Sequence, residues 1–189
     1  MKKIGVLALQ GAFIEHISLL QELGAEAFPV RLPSQLDGID GLIMPGGEST
    51  TIGKLLVAYD FEHKLRGMAR EGFPIYGTCA GMILLAKQVE GRVQPILGVM
   101  DLTVRRNAFG RQVDSFEVDL PIPALGEAPF HAIFIRAPRI GSIGSEVACF
   151  AALPDGEIVG ARQGNLLVTA FHPELTTDTR LHEYFLGMT

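Results

Sequence analysis

Two cysteines, Cys79 and Cys149, are all that 189 residues contain. A disulfide framework is therefore excluded, and the expected setting is a reducing one, with a cytoplasmic protein as its simplest form. No stretch of about 18 uninterrupted apolar residues occurs, so no membrane-spanning helix is expected. Lys2-Lys3 followed by Ile4 to Leu9 has the start of a leader peptide. That run ends after six residues at Gln10, short of the roughly 7–15 such a segment needs, and Glu15 and His16 follow. Positive charge is also scarce. The net charge is −5 and the densest basic clusters are Lys2-Lys3 and Arg105-Arg106, which leaves no footprint for nucleic acid. Repeats, low-complexity tracts and Ser- or Pro-rich linkers are lacking, and a single domain over residues 1–189 is expected.

What the chain does have is an ordinary core composition, 48% hydrophobic and 20% charged. Its first half alternates apolar runs with amphipathic stretches. Ile4–Leu9, Ala27–Val30, Gly41–Met44 and Phe73–Tyr76 are expected as strands, the continuous apolar runs suiting strands buried on both faces. Between them, Phe13, Ile14, Ile17, Leu20 and Leu23 fall at helical spacing, with Gly24 as a C-terminal cap. Helices are also expected from Ser49, as cap, through Ala58, over Phe61–Arg70 and over Ala80–Lys87. Beyond Gly91 the pattern turns to short strands at Leu102–Val104, Ser115–Val118, Ala132–Ile135, Ala148–Leu153, Ile158–Ala161 and Leu166–Ala170, then a closing helix over Thr179–Leu186. The expected fold is α/β: a doubly wound, mostly parallel sheet flanked by helices with antiparallel additions, flavodoxin-like.

Gly77-Thr78-Cys79-Ala80-Gly81 joins a strand to a helix. Small residues two before and two after the cysteine permit a sharp turn that lifts the sulfur to the carboxyl edge of the sheet, the arrangement of a nucleophile elbow with cysteine in place of serine. A helix N-terminus beside it favours the thiolate form. A lone cysteine is more often a buried apolar residue, and Cys149, in Val147-Ala148-Cys149-Phe150, is placed in the core on that ground. The flanking glycines set Cys79 apart.

A cysteine nucleophile needs a proton acceptor that later donates to the leaving group. Of five histidines, His16, His63 and His182 lie on helices amid polar neighbours and are expected at the surface; His131 precedes a strand, with a structural role favoured. His172 ends the apolar strand Leu166 to Phe171. If that strand runs parallel to the one before Cys79, both residues emerge at one sheet edge. Pro173 stiffens the link, so Glu174 can turn back to the second imidazole nitrogen and complete a triad. His172 and Glu174 could instead ligate a metal, but no further ligand cluster has metal spacing.

Pro45-Gly46-Gly47-Glu48-Ser49-Thr50-Thr51-Ile52-Gly53-Lys54 follows the third strand. As a phosphate loop it fails: five residues separate Gly47 from Gly53, and Leu55 follows the lysine. Two readings remain open. Gly47 and Ala80 could aim their N–H groups at an oxyanion beside Cys79, or Gly46-Gly47 is a plain turn capped by Ser49.

The motifs together are Gly5-Val6-Leu7-Ala8-Leu9-Gln10-Gly11 with Glu15-His16, Pro45 to Thr50, Gly77 to Gly81, Arg106-Asn107 with Gly110-Arg111-Gln112, Phe134-Ile135-Arg136-Ala137-Pro138, and Phe171-His172-Pro173-Glu174. In this set the chain resembles the class I, triad-type glutamine amidotransferases, and among them the family of glutaminase subunits of pyridoxal 5'-phosphate synthase. The resemblance runs nearly end to end and is weakest over Arg139–Ser145. It implies that Gly47, Glu48, Ser49, Arg106, Ile135 and Arg136 bind L-glutamine, which is chemically apt because an α-amino group wants a carboxylate and an α-carboxylate a guanidinium. It implies hydrolysis to glutamate and ammonia without metal or organic cofactor. It also implies a separate (β/α)₈-barrel synthase subunit as the ammonia acceptor, with Gln10 as a candidate contact, and an oxyanion hole that the partner helps to organise. A stand-alone cysteine hydrolase such as a γ-glutamyl peptidase, or a silent binding module, are the competing functions; the intact triad set opposes the second.

Overall fold

The central strands of this chain form where apolar residues run without interruption. The outlying strands between Met100 and Ile135 alternate buried with more exposed residues, and helices form where the apolar spacing widens to three and four. The computed structural model describes residues 1–106 and 115–189. In order, the elements are β1 (Lys3–Leu7), α1 (Phe13–Glu22), β2 (Glu26–Val30), β3 (Gly41–Met44), α2 (Ser49–Ala58), α3 (Phe61–Arg70), β4 (Ile75–Thr78), α4 (Ala80–Leu85), β5 (Ala86–Glu90), β6 (Met100–Arg105), β7 (Ser115–Leu120), β8 (Phe130–Ile135), β9 (Arg139–Ile143), β10 (Ala148–Ala152), β11 (Ile158–Gln163), β12 (Leu166–Thr169) and α5 (Arg180–Leu186). Short 3₁₀ turns add Pro33–Leu36, Pro123–Leu125 and Pro173–Leu175, each opened by a proline whose fixed φ suits a first helical position.

The main sheet has the order β10-β11-β12-β4-β3-β1-β2. From β12 to β2 every neighbouring pair is parallel, and β11 and β10 extend one edge through antiparallel pairings. The mostly parallel α/β sheet with antiparallel additions is thus as expected. Two smaller sheets lie apart from it: β5-β6-β9, which includes a parallel β5/β6 pair, and the β7-β8 hairpin.

Successive residues of a strand face opposite sides of the sheet, and β4 uses this to separate two helical layers. The Tyr76 ring meets Phe185 of α5, 5.7 Å between centroids. Its neighbour Gly77 faces α4, where an added Cβ would come within 2.9 Å of Leu85. Ile4, Val6, Leu42, Ile43, Ile75, Leu167 and Val168 fill the sheet's interior with no exposure. The decisive register is β12 against β4, in parallel, Leu166 opposite Ile75 through Thr169 opposite Thr78. Both chains therefore leave the sheet at the same edge.

Several expectations are corrected. Cys149 is exposed, because β10 is an edge strand with bulges on both sides of Ala151, and the inward positions fall to Val147, Phe150 and Ala151 instead. Ser49 begins α2 without capping it; the carboxylate of Glu48 does so, accepting from the N–H groups of Thr50 and Thr51 at 3.1 and 2.8 Å. The helix expected over Ala80–Lys87 stops at Leu85, where the chain turns into β5, and β9 lies in the stretch where the family resemblance is weakest. His16 and His182, expected at the surface, are fully buried. His16 stands three residues after Phe13 and four before Leu20, so it belongs to the inward face of α1, and it is Ile14 that points out, 63% exposed. His182 follows Leu181 and precedes Phe185 by three, within the apolar stripe that docks α5.

Candidate active site

The turn at Cys79 is built by backbone constraint. Cys79 holds φ 49° and ψ −100°, a left-handed conformation costly to a residue with a side chain. Close packing on both flanks enforces it. A Cβ on Gly81 would stand 2.0 Å from the Met44 carbonyl oxygen, and one on Gly77 would stand 2.6 Å from the backbone of Gly81. The Cys79 N–H donates to the Thr169 carbonyl at 2.8 Å, tying the turn to the end of β12.

Past that point β12 runs through Ala170 and Phe171 to His172, whose N–H donates to the Ile133 carbonyl of β8 at 2.8 Å. The 3₁₀ turn from Pro173 then brings Glu174 back, and its Oε1 lies 2.7 Å from His172 Nδ1. The Cys79 side chain adjoins the same imidazole and favours its charged form. Burial works against a charge on His172, but the adjoining Cys79 side chain and the hydrogen-bonded Glu174 carboxylate outweigh it, pushing the imidazole up to about 10. Burial would raise the Glu174 carboxyl; His16 and His172 beside it prevail and hold it below the usual range. The structure thus brings together the three residues singled out from the sequence, in a geometry fit for nucleophile, base and orienter.

Beside the sulfur lies a cavity of about 390 Å³, lined by Gly47, Glu48, Ser49, Cys79, Ala80, Ile83, Arg106, Arg136 and Pro138. Its glycine loop presses directly on the triad: a Cβ on Gly46 would sit 2.5 Å from the His172 ring and 3.6 Å from Cys79 Cβ. The loop is held from behind. The Gly46 carbonyl accepts from the Ala12 N–H at 3.2 Å, and the Glu48 N–H donates to Gln10 Oε1 at 2.8 Å. Neither the Gly47 nor the Ala80 N–H meets an acceptor among the described residues.

Glu48 and Arg106 are paired at the cavity wall. Arg106 reaches Glu48 Oε1 at 3.0 Å and also donates to Thr50 Oγ1 and Gln94 Oε1, each at 2.9 Å. Slight burial would raise the Glu48 carboxyl, but hydrogen bonds from Thr51 and Thr50 dominate and lower it to about 2. Arg136, in a left-handed conformation with φ 45°, completes the polar rim. Of the residues the resemblance assigned to glutamine, Ile135 stands outside the lining, 39% exposed, and Gln10 is exposed at the back of the loop. Asn107, Gly110, Arg111 and Gln112 of the fourth motif lie outside the described residues. His131 is a surface residue set between Asp119 at 2.7 Å and Glu117 at 2.9 Å, far from this chemistry in role.

Three residues joined to the site are given no role in it by the sequence. Gln94 comes from a coil segment with no periodicity to mark it. The polar neighbours of His16 and His182 point to the surface, although both stand on the inward faces of their helices. His16 Nε2 lies 3.3 Å from Glu174 Oε2, and His16 Nδ1 lies 2.9 Å from His182 Nε2.

A family model described as the SNO glutamine amidotransferase family matches residues 6–189. The chain belongs to this family. Among curated relatives, a protein of Herpetosiphon aurantiacus named pyridoxal 5'-phosphate synthase subunit PdxT is 65% identical over 188 residues, covering 98% of this chain and 99% of that one. A protein of the same name from Moorella thermoacetica is 60% identical, covering 98% of each. A solved glutamine amidotransferase is 52% identical with a TM-score of 0.93, over 98% of this chain and 97% of the other. As a glutamine amidotransferase, the chain has the α/β architecture and the elbow cysteine its sequence implied.

Proposed function

We propose that this amidotransferase hydrolyses L-glutamine through Cys79, His172 and Glu174 and delivers the ammonia to a (β/α)₈-barrel synthase subunit that makes pyridoxal 5'-phosphate. The observation that carries the reading is the His172–Glu174 hydrogen bond beside Cys79, opening onto a cavity that offers both a carboxylate and guanidinium groups. The names of the relatives support the synthase assignment. The Cys79 thiolate attacks the side-chain amide carbon of glutamine, forming a C–S bond and a tetrahedral oxyanion. The Gly47 and Ala80 N–H groups are the oxyanion donors. His172 gives its proton to the departing nitrogen, the C–N bond breaks, and ammonia leaves a glutamyl thioester. Water, deprotonated by His172, then attacks the thioester, and glutamate departs as the proton returns to sulfur. Glu174 keeps Nδ1 of His172 protonated, so that Nε2 faces the sulfur throughout.

In this reading Glu48 and Ser49 receive the α-amino end of glutamine, Arg106 and Arg136 its α-carboxylate, and Ile135 borders the entry. The existing Glu48–Arg106 pair opens when the zwitterion replaces each partner with one of its own charges. The test is glutamate release from glutamine, with and without the barrel subunit. Release should be weak alone, rise with the partner, and vanish in Cys79→Ala. Activity surviving in Cys79→Ala would sink the mechanism; undiminished turnover without a partner would favour a stand-alone hydrolase.

A further inference from the structure

The carboxylate of Glu174 has two oxygens, and the reaction above employs only Oε1. Oε2 is fully buried and has no regularly aligned hydrogen bond among the described residues. Its near neighbour is His16 Nε2 at 3.3 Å. Behind His16 stands His182, with Nε2 2.9 Å from His16 Nδ1, and Thr78 Oγ1 approaches His16 Nε2 at 3.4 Å. All three side chains have no exposure, and α1 and α5 contribute one ring each.

Hydrogen-bond arithmetic orders the protons. If His16 carried its proton on Nδ1, its Nε2 lone pair would face the carboxylate, and His182 would be left with a buried Nδ1–H aimed at no acceptor. With protons on both Nε2 atoms, His182 donates to His16, and the His16 Nε2–H stands between Glu174 Oε2 at 3.3 Å and Thr78 Oγ1 at 3.4 Å. The buried atoms of this row left without an aligned hydrogen bond, His182 Nδ1 and Glu174 Oε2, are both acceptors. The first arrangement costs more, because it leaves a buried donor unmet and also sets a nitrogen lone pair against carboxylate lone pairs. Burial keeps both rings neutral: His16 is lowered by burial, and His182 falls to about 3 through burial and the neighbouring His16. The pair therefore supplies an oriented N–H without a second positive charge to compete with His172.

We propose that His16, with its tautomer locked by His182, is a positioning residue that fixes the second oxygen of Glu174 and so holds the His172 ring in line with Cys79. The proposal rests on the reading of Cys79, His172 and Glu174 as the triad. It assigns work to two histidines that touch neither substrate nor sulfur, and it extends the hydrogen-bonded row from the sheet edge into the layer between α1 and α5.

The test compares His16→Leu with His16→Gln in the full chain, assayed with the synthase partner. Both fill the space, but only glutamine presents an N–H to Glu174 and a carbonyl to His182. His16→Leu should lower kcat ten- to a hundredfold, the order a misplaced base produces, with KM changed less than about twofold. The His172 imidazole, followed by NMR, should titrate closer to its ordinary value, and the pH profile of Cys79 alkylation by iodoacetamide should move with it. His16→Gln should recover most of all three. Equal kcat and equal alkylation profiles in the two variants, at equal folded fraction, would overturn the proposal. Should His16→Leu fail to fold, His182→Leu removes the tautomer lock and leaves His16 in place; an alkylation profile unmoved there overturns it equally. Cys79→Ala separates the two readings. Hydrolysis surviving in it removes the triad itself, whereas a dead Cys79→Ala beside a fully active His16→Leu removes the positioning role alone.

Discussion

At the scale of single residues, the site depends on positions where one atom more would not fit. The turn at Cys79 lets a side-chain-bearing residue keep φ 49° only because the chain approaches itself so closely at Gly77 and Gly81. In Gly81→Ala the new methyl would meet the Met44 carbonyl oxygen at 2.0 Å, so β3 and α4 must separate. The cost should be about 3 kcal/mol, read as a lower urea midpoint, with Cys79 alkylation slowed in the folded fraction. Glu174→Gln tests orientation where volume is conserved. The carboxamide can offer an N–H to His172 Nδ1 and so stabilise the wrong tautomer, and kcat should fall by roughly 10²–10⁴ while the fold persists. Retained turnover would show that Glu174 is not the orienter. These residues were legible because each sits in a local motif whose chemistry needs no partner from afar: glycine, nucleophile, glycine, or histidine, proline, carboxylate. His16 and His182 were not, because the identity of their neighbours suggested solvent, while their position on a helix face, which fixes burial, depends on which side the sheet lies.

Among the elements, α1 has two attachments to the chemistry. Its entry, Gln10 to Ala12, holds the loop at Gly46 and Glu48; about one helical turn later His16 reaches Glu174. The parallel pairing of β12 with β4 stands in the sequence only as a condition, since Leu166–Ala170 falls among the short strands expected as antiparallel additions, but the β-α order of the first half could be foreseen from continuous apolar runs. That Gln10 would clasp the glycine loop could not, since nothing in a strand-end Leu-Gln-Gly says which distant backbone group will meet the amide. Glu48 was likewise placed by chemistry alone; its second task, capping α2 in place of Ser49, emerges only when the side chain folds back over Thr50 and Thr51. In Gln10→Ala the Glu48 N–H loses its acceptor and the loop loses one anchor. A net hydrogen bond is worth about 1 kcal/mol, so glutamate release should fall roughly fivefold with little change in thermal midpoint. A drop in midpoint without a change in turnover would place Gln10 in the scaffold only.

For the whole molecule, the row of buried ionisable groups at the sheet edge makes folding depend on pH from both sides. His172 is raised to about 10, so its contribution is complete below its unfolded value near 6.5 and fades as pH rises through 10. His182 works in the other direction. Its folded value is depressed to about 3 by burial and by His16, so between 3 and 6.5 the unfolded chain binds a proton that the folded chain refuses, and stability drains away as pH falls. His16 is lowered too and adds to the acid side. Glu174, facing them, is lowered, so its own contribution is complete above its unfolded value near 4.5 and is lost as pH falls from there through its folded value. Greatest stability is therefore expected near neutrality. Replacing His182 by leucine isolates one contribution, because leucine takes up no proton in either state. The wild-type protein should be destabilised relative to His182→Leu by about 2 kcal/mol on going from pH 7.5 to pH 5. Urea unfolding of both proteins at the two pH values measures this double difference, in which solvent and denaturant effects common to the pair cancel. A stability gap that stays constant with pH would mean that His182 accepts a proton inside the folded protein, and the neutral, oriented imidazole pair behind Glu174 would have to be abandoned.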